Sequence, residues 1–328
     1  MNLVRICPIT SKHVIYSGKR ENKPADLWDK AFKLHKVCDF EYDKNCPFCK
    51  GNEPFTPGEL YIYPDKENWK IRIVPNKYPI VGGDDSCVQG KYEYHTPGKH
   101  YVIIESDKHC DTYFNMTDGE FYRLYEAVHS AYTKLFADEE TNYVCFFKNY
   151  QMMGGASLYH PHSQIMSLLG FPDVLCREID GTKKYISQNG SCPYCDMIDK
   201  QRRVKDRLIY ENENFIAFEP YASRYKFETW IAPKKHISGF EHETDLKGLA
   251  QIVSFTFKAL FNVIGNFPYN FYLHSLPKKY QGEDFHYHFE IIPRISGGAG
   301  FEMCSGICVN TLLPEDAAGM VREALCRK

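Results

Sequence analysis

Two stretches of this chain carry the same series of metal- and proton-handling residues in the same order. The first has Cys46-Pro47-Phe48-Cys49, a lone His109 and the run His160-Pro161-His162-Ser163-Gln164. The second has Cys192-Pro193-Tyr194-Cys195, His236 and Phe285-His286-Tyr287-His288-Phe289-Glu290. From the lone histidine to the first histidine of the HxH is 51 residues in one stretch and 50 in the other. The segments between also correspond: residues 71–77 match 215–224 as a strand running into a loop, and 102–109 match 229–236. Self-similarity at this scale marks a duplicated structural unit. The fold class expected is α+β, with a catalytic N-terminal domain over 1–170, a second over 171–328, and the boundary within 169–190.

Local patterns fill in each copy. Residues 2–24 read as a strand or hairpin, and 69–79 alternate before breaking at Pro79. Residues 101–105 form a short apolar strand. Thr117 and Glu120 make a capping box ahead of Phe121, Leu124, Val128, Ala131 and Leu135, whose spacing predicts a helix. Residues 143–147 read as a strand and 148–158 as a loop. Leu249, Val253, Leu260 and Ile264 repeat the helix in the second half.

The residue types point to metal ligation. A structural zinc site takes four tetrahedral nitrogen or sulfur ligands, and a CxxC offers two thiolates from one turn. Cys46, Cys49, His109 and His160 form one Cys2His2 set, and Cys192, Cys195, His236 and His286 the second. A single CxxC in a cytosolic protein could instead be a redox pair or an accident, but here the motif is repeated with the same histidine partners. The thirteen cysteines are odd in number, and the amino terminus lacks a signal-peptide core, so reduced thiols in a cytosolic protein are expected. Cys145, Cys304 and Cys308 read as core residues.

Read as a strand, 160–166 puts His160, His162 and Gln164 on one face, and Pro161 favours a strand start or an edge. With His160 committed to metal, His162 is free to act as a nucleophile on a rigid strand. Gln164 offers an amide donor to a phosphoryl oxygen without competing negative charge. Glu290 stands at the matching place in the second copy, where a carboxylate repels phosphate, so chemistry is assigned to the first half.

Arg20 and Lys23 supply positive charge, and Asn149 and Ser157 flank Gly154-Gly155, whose backbone can approach a ligand. A second Gly-rich loop spans 297–302. No P-loop and no GxGxxG between strand and helix is present, which argues against kinase and dehydrogenase readings. Net charge is −2 without basic clusters, and no apolar run is long enough for a membrane helix, so neither nucleic acid nor membrane is an expected partner.

Taken together, Arg20, Lys23, Cys46-Pro-Phe-Cys49, Val74-Pro-Asn-Lys-Tyr-Pro79, His109, Asn149, Gly155-Ala-Ser157, His160-Pro-His-Ser-Gln164 and Gly300-Phe-Glu302 resemble the galactose-1-phosphate uridylyltransferases. That family is the branch of the histidine-triad superfamily built from two fused triad-like units. The resemblance implies two antiparallel sheets with packed helices. It implies that His162 becomes nucleotidylated, His160 binds zinc and Gln164 contacts the transferred phosphoryl. Asn76, Asn149 and Ser157 would line the nucleotide pocket, with Arg20, Lys23, Gly300, Phe301 and Glu302 also binding substrate.

The chain departs from that family in two places. Many members build the second metal site from a Glu and three histidines, a set that Glu178, His274, His286 and His288 could supply in place of Cys192 and Cys195. After Glu302, Cys304-Ser-Gly-Ile-Cys308-Val-Asn310 lacks the Gln that many members use near the hexose. In that it is similar to the branch with the plant ADP-glucose phosphorylases.

The function expected is transfer of a nucleoside monophosphate, UMP first, from a nucleotide sugar to a hexose 1-phosphate through a nucleotidyl-histidine. An adenylyltransferase with phosphate as acceptor, a nucleotide hydrolase, and an inactive zinc-stabilised nucleotide-binding protein are the alternatives. Two structural Zn2+ ions, a homodimer and a cytoplasmic location in galactose metabolism complete the expectation.

Overall fold

A computed structural model of the chain describes residues 2–18, 38, 40–82, 97–170 and 172–326. Thirteen strands are present among them: β1 (Leu3–Ile6), β2 (His13–Tyr16), β3 (Tyr61–Tyr63), β4 (Ile71–Pro75), β5 (His100–Ile104), β6 (Tyr143–Tyr150), β7 (His162–Leu168), β8 (Leu208–Glu211), β9 (Phe215–Phe218), β10 (Thr229–Pro233), β11 (Tyr269–His274), β12 (His288–Pro293) and β13 (Cys308–Asn310). The helices are α1 (Asp118–Ala137), α2 (Asp173–Asn189), α3 (Pro193–Val204), α4 (Leu246–Ile264), α5 (Gly300–Ser305) and α6 (Pro314–Cys326).

Ten strands form one antiparallel sheet in the order β3-β4-β5-β7-β6-β11-β12-β10-β9-β8. Read outward from the β6–β11 seam, the two halves have the same order, so the duplicated units are joined edge to edge. An edge strand exposes unpaired backbone groups, and pairing β6 with β11 removes one such edge from each unit. The registers match as well. Gln164 lies opposite Val102 on β5 and Phe147 on β6, while Glu290 lies opposite Trp230 on β10 and Tyr272 on β11.

Helices α1 and α4 cover one face of this sheet. The capping box forms as the sequence predicts: Glu120 N–H donates to Thr117 Oγ1 at 3.3 Å, and Thr117 N–H to the Glu120 carboxylate at 2.7 Å. Phe121, Leu124 and Val128 from α1 and Leu249, Val253 and Phe257 from α4 bury against Ile103, Phe146, Ile165, Phe271 and Phe289. Each such side chain contributes about 1.5–3 kcal/mol, so this layer anchors β5, β6 and β7 in place. The opposite face of β4 and β5 carries a smaller cluster of Cys46, Phe48, Cys49, Trp69, Val74, Val102 and Ile104.

Some segments differ from their expected form, and others gain partners across the fold. Strand β6 runs to Tyr150, three residues into the segment read as a loop, because Asn270 and Tyr269 on β11 continue its ladder. The 169–190 segment is largely helix α2, which packs Leu175 and Ile179 with Ile9, Tyr194 and Trp230. The hairpin β1–β2 pairs with β13 near the other end of the chain, held by an Arg5–Glu315 ion pair at 3.0 Å. The Gly-rich 297–302 loop gives way at Gly300 to helix α5, where Ala299 N–H donates to the Glu302 carboxylate at 2.8 Å.

Cysteine chemistry changes too. Cys38 and Cys110 are joined as a disulfide, against the expectation that every thiol is reduced. Phe40 stacks on the His109 ring at 5.1 Å and His109 N–H bonds to Glu41 O at 3.0 Å, which draws the Cys38 segment alongside Cys110. Cys304 is exposed on α5 rather than in a core. Among the described residues no helix is long and apolar enough to cross a membrane.

Candidate active site and metal centres

The HxHxQ strand is delivered by a tight turn. A Cβ on Gly154 would lie 2.6 Å from the Tyr269 carbonyl oxygen, so only glycine fits there, and Gly155 adopts φ +87°, a left-handed conformation that glycine takes without strain. His160 and Pro161 then precede β7, which begins at His162. Proline has no N–H to donate, and its place just before the first ladder residue spares the ladder. The strand is interior, between β5 and β6, not at an edge.

His162 is fixed in one tautomer. Its Nδ1 lies 2.8 Å from the His160 carbonyl oxygen, an acceptor only, so Nδ1 carries the proton and Nε2 keeps the lone pair. The ring sits at the edge of a cavity of about 500 Å³ lined by Phe48, Asn76, Ser157, His162 and Gln164 among others. Burial lowers the imidazole's pKa, which keeps it neutral, as a nucleophile must be.

His100, which the sequence reading did not single out, orients Gln164. Its Nδ1 accepts from Ile80 N–H at 3.3 Å, so the proton is on Nε2, which donates to Gln164 Oε1 at 2.8 Å. Asn76, whose Oδ1 accepts from Tyr78 N–H at 2.9 Å, places its Nδ2 3.2 Å from His100 Nε2 and 3.5 Å from the same Gln164 oxygen. With Oε1 engaged on the protein side, the Gln164 amide NH2 is left for a ligand. Burial holds His100 below its ordinary pKa, so it stays neutral.

Both Cys2His2 sets converge. Cys46, Cys49, His109 and His160 bring their ligand atoms within 4.8 Å of one another, as do Cys192, Cys195, His236 and His286. Cys49 Sγ lies 3.2 Å from His109 Nδ1 and 3.6 Å from His160 Nδ1, and Cys195 Sγ lies 3.3 Å from His236 Nδ1 and 3.7 Å from His286 Nδ1. His160 Nε2–H donates to Ser106 O and His286 Nε2–H to Pro233 O, each at 2.8 Å, which turns both Nδ1 lone pairs toward the thiols. Such outer hydrogen bonds orient metal-binding imidazoles. Burial lowers the His160 pKa to about 3, keeping it in the neutral form that ligates. Two thiols and two imidazoles in this arrangement fit a tetrahedral, zinc-like cation.

The second HxH is built alike but closed. His288 Nδ1–H donates to His286 O at 3.0 Å, repeating the first half. Its ring is stacked on Trp230 at 4.7 Å and wholly buried. Trp230 stands opposite Glu290 in the register position that Val102 holds opposite Gln164. Glu290 pairs with Arg224 and accepts from Tyr272 OH at 2.6 Å; burial opposes ionisation, but the guanidinium holds this carboxyl well below the usual range. The alternative ligand set of Glu178, His274, His286 and His288 does not assemble. His286 joins the Cys2His2 cluster, and Glu290 takes its place beside Glu178, His274 and His288.

The other expected residues divide. Asn76 and Ser157 line the His162 cavity. Asn149 lies beside it in β6, its Oδ1 accepting from Asn270 Nδ2 at 2.8 Å, and is not among the lining residues. Gly300 and Phe301 are exposed and Glu302 half-buried on α5, none of them on the cavity wall. Arg20 and Lys23 lie outside the described residues.

Known proteins resemble this chain along its length. Residues 83–328 match a family described as a domain of unknown function (DUF4921). An ADP-glucose phosphorylase of Arabidopsis thaliana is 31% identical over 96% of this chain and 91% of its own. The crystal structure of an Arabidopsis thaliana ADP-glucose phosphorylase with bound ADP-glucose superposes with a TM-score of 0.85 at 30% identity, covering 98% of both chains. A uridylyltransferase structure superposes with a TM-score of 0.75 at 26% identity, covering 100% of this chain and 99% of that one. With a duplicated antiparallel sheet, a buried HxHxQ strand and these relatives, the chain belongs to the family of nucleotidyltransferases that contains ADP-glucose phosphorylase and the galactose-1-phosphate uridylyltransferases.

Proposed function

We propose that this protein moves a nucleoside monophosphate from a nucleoside diphosphate sugar through a covalent nucleotidyl-His162, with ADP-glucose as donor and inorganic phosphate as acceptor. The observation that carries the reading is the pairing on one cavity wall of an unprotonated His162 Nε2 with a Gln164 amide pre-oriented by His100. In the first step the Nε2 lone pair attacks the α-phosphorus and the bond to the bridging oxygen breaks, releasing glucose 1-phosphate. Gln164 donates to a non-bridging oxygen as its charge develops. In the second step a phosphate oxygen attacks the same phosphorus, the P–N bond breaks, and ADP leaves with His162 neutral again. Similarity supports the adenylyl donor, since the ADP-glucose phosphorylase exceeds the uridylyltransferase in both identity and TM-score.

UMP transfer from UDP-glucose to galactose 1-phosphate is the second reading, favoured by the near-complete overlap with the uridylyltransferase structure. Two zinc ions would occupy the Cys2His2 clusters, the first stiffening the start of β7 through His160. A homodimer is part of the proposal, because Gly300, Phe301 and Glu302 stand off the cavity wall of their own chain. The same reading expects a cytoplasmic enzyme of carbohydrate metabolism. Incubation with ADP-glucose plus phosphate, and separately with UDP-glucose plus galactose 1-phosphate, tests the choice of donor. Rapid ADP formation in the first mixture supports it, and turnover confined to the second overturns it.

A further inference from the structure

Behind His162, across the sheet from the cavity, lies a charged pair that the reaction above does not use. Lys148 on β6 shares a face with Phe146, and Glu105 just after β5 shares a face with Ile103, so both point to the helix-covered side. The Lys148 ammonium and the Glu105 carboxylate form a fully buried ion pair. Tyr113 OH donates to Glu105 Oε1 at 2.9 Å, and the Tyr113 ring lies 4.7 Å from the Lys148 nitrogen. The surroundings are aromatic: Phe121, Phe257 and Phe271 pack around Tyr113.

Both members of the pair grip the HxH backbone. Lys148 Nζ donates to the His162 carbonyl at 3.1 Å, and Glu105 N–H donates to the Pro161 carbonyl at 3.1 Å. A buried ion pair is in general no more stabilising than apolar side chains of similar volume, so stability alone does not account for it. The second half supplies the comparison. Tyr272 pairs with Glu290 as Phe147 pairs with Gln164, so Leu273 stands where Lys148 stands. Strand β10 likewise ends in Ala232-Pro233, with no carboxylate at the register position of Glu105. The charged pair is thus present behind the HxH that faces a cavity and replaced by apolar residues behind the one that is sealed.

We propose that Lys148 is a positioning residue for nucleotidyl transfer: held by Glu105 and Tyr113, it fixes the His162 backbone from behind. This rests on the reading of His162 as the nucleotide carrier. A displacement of the nucleophile by about 1 Å costs on the order of a hundredfold in rate, whereas ground-state binding of the nucleotide sugar does not depend on it.

The test uses the whole protein and α-phosphate-labelled ADP-glucose without acceptor. Melting temperature, the single-turnover rate of label transfer to protein, and the affinity for ADP-glucose are measured for wild type, Lys148→Met, Glu105→Gln and the Lys148→Met/Glu105→Gln pair. Lys148→Met strands a buried carboxylate and lowers the melting temperature. The double variant removes both charges and recovers stability, yet label transfer stays slower than wild type by ten- to a hundredfold, on the order set by nucleophile misplacement, with affinity little changed. Glu105→Gln keeps the ammonium on the His162 carbonyl and retains most of the rate. A double variant that transfers label at the wild-type rate, or Glu105→Gln falling as far as Lys148→Met, overturns the inference while leaving the nucleophile assignment intact. A wild-type protein that takes no label overturns the proposed function, and this inference with it.

Discussion

Replacing His100 with Leu should slow the chemical step without weakening substrate binding. Leucine approximates the volume of the ring but has neither the Nε2–H that meets Gln164 Oε1 at 2.8 Å nor the Nδ1 that accepts from Ile80 N–H. Deleting a preorganised amide donor to a developing oxyanion altogether costs about 2.7–4 kcal/mol. In His100→Leu the donor is still present but free to turn, since the remaining contact from Asn76 is 3.5 Å long. Roughly half of the full cost is therefore expected, on the order of 2 kcal/mol, or about thirtyfold in kcat. Folding should lose about 1–3 kcal/mol for the two neutral hydrogen bonds. Steady-state phosphorolysis of ADP-glucose separates kcat from KM, and His100→Gln, which restores an N–H near the same place, should recover part of the loss. If kcat stays within twofold of wild type while Gln164→Ala loses a hundredfold, His100 does not orient Gln164. If the loss appears in KM alone, the amide acts on bound substrate and not on the transition state.

Elemental analysis after dialysis should find close to two zinc ions per chain, and about one in either Cys46→Ser or Cys192→Ser. Activity should fall further in Cys46→Ser, because His160 of that cluster precedes the nucleophile strand directly; a metal-free chain with an unchanged melting temperature contradicts both sites. Glu219 is buried with no hydrogen bond to either carboxylate oxygen, and burial, with Glu228 and Glu315 nearby, raises its pKa well above 4.5. The native state therefore keeps this proton to higher pH than the unfolded chain, so its contribution to stability falls as pH rises above 4.5. Glu219→Gln should be close to neutral at pH 4 and stabilising by about 1–3 kcal/mol at pH 7; urea unfolding at the two pH values checks the sign. The segment after Glu302 lacks an amide side chain near its start, and discrimination between glucose 1-phosphate and galactose 1-phosphate in the reverse direction should be modest, which a ratio of kcat/KM values measures.

The duplication, the α+β class and the grouping of both Cys2His2 sets were legible in the sequence because they rest on local motifs repeated in the same order: CxxC in one turn, a lone His, and HxH at the period of a strand, with Thr117 and Glu120 across one helical turn marking a helix. What was not legible depends on strands meeting across the fold. Lys148 reads as the start of a loop until β11 extends β6 by pairing with it. His100 is an isolated histidine at the start of a strand, and only the β5–β7 register brings it to Gln164. Trp230 looks like any strand aromatic, yet its placement against His288 is what seals the second HxH. The β1–β2 hairpin gave no sign that its third strand would come from residues 308–310. The assignment of chemistry to the first half rested on Gln164 against Glu290; the structure adds Val102 against Trp230, with His162 on a cavity wall and His288 wholly buried.

The central claim is that His162, and not His288, carries the nucleotide. Enzyme mixed with ADP-glucose labelled at the α-phosphate, without phosphate, should acquire label in an acid-labile, base-stable bond of the phosphoramidate kind. His162→Asn should take no label while keeping its zinc content and melting temperature, since His160 remains to bind the metal. His288→Asn should be labelled like wild type. Label that persists in His162→Asn, or that disappears only in His288→Asn, contradicts the account.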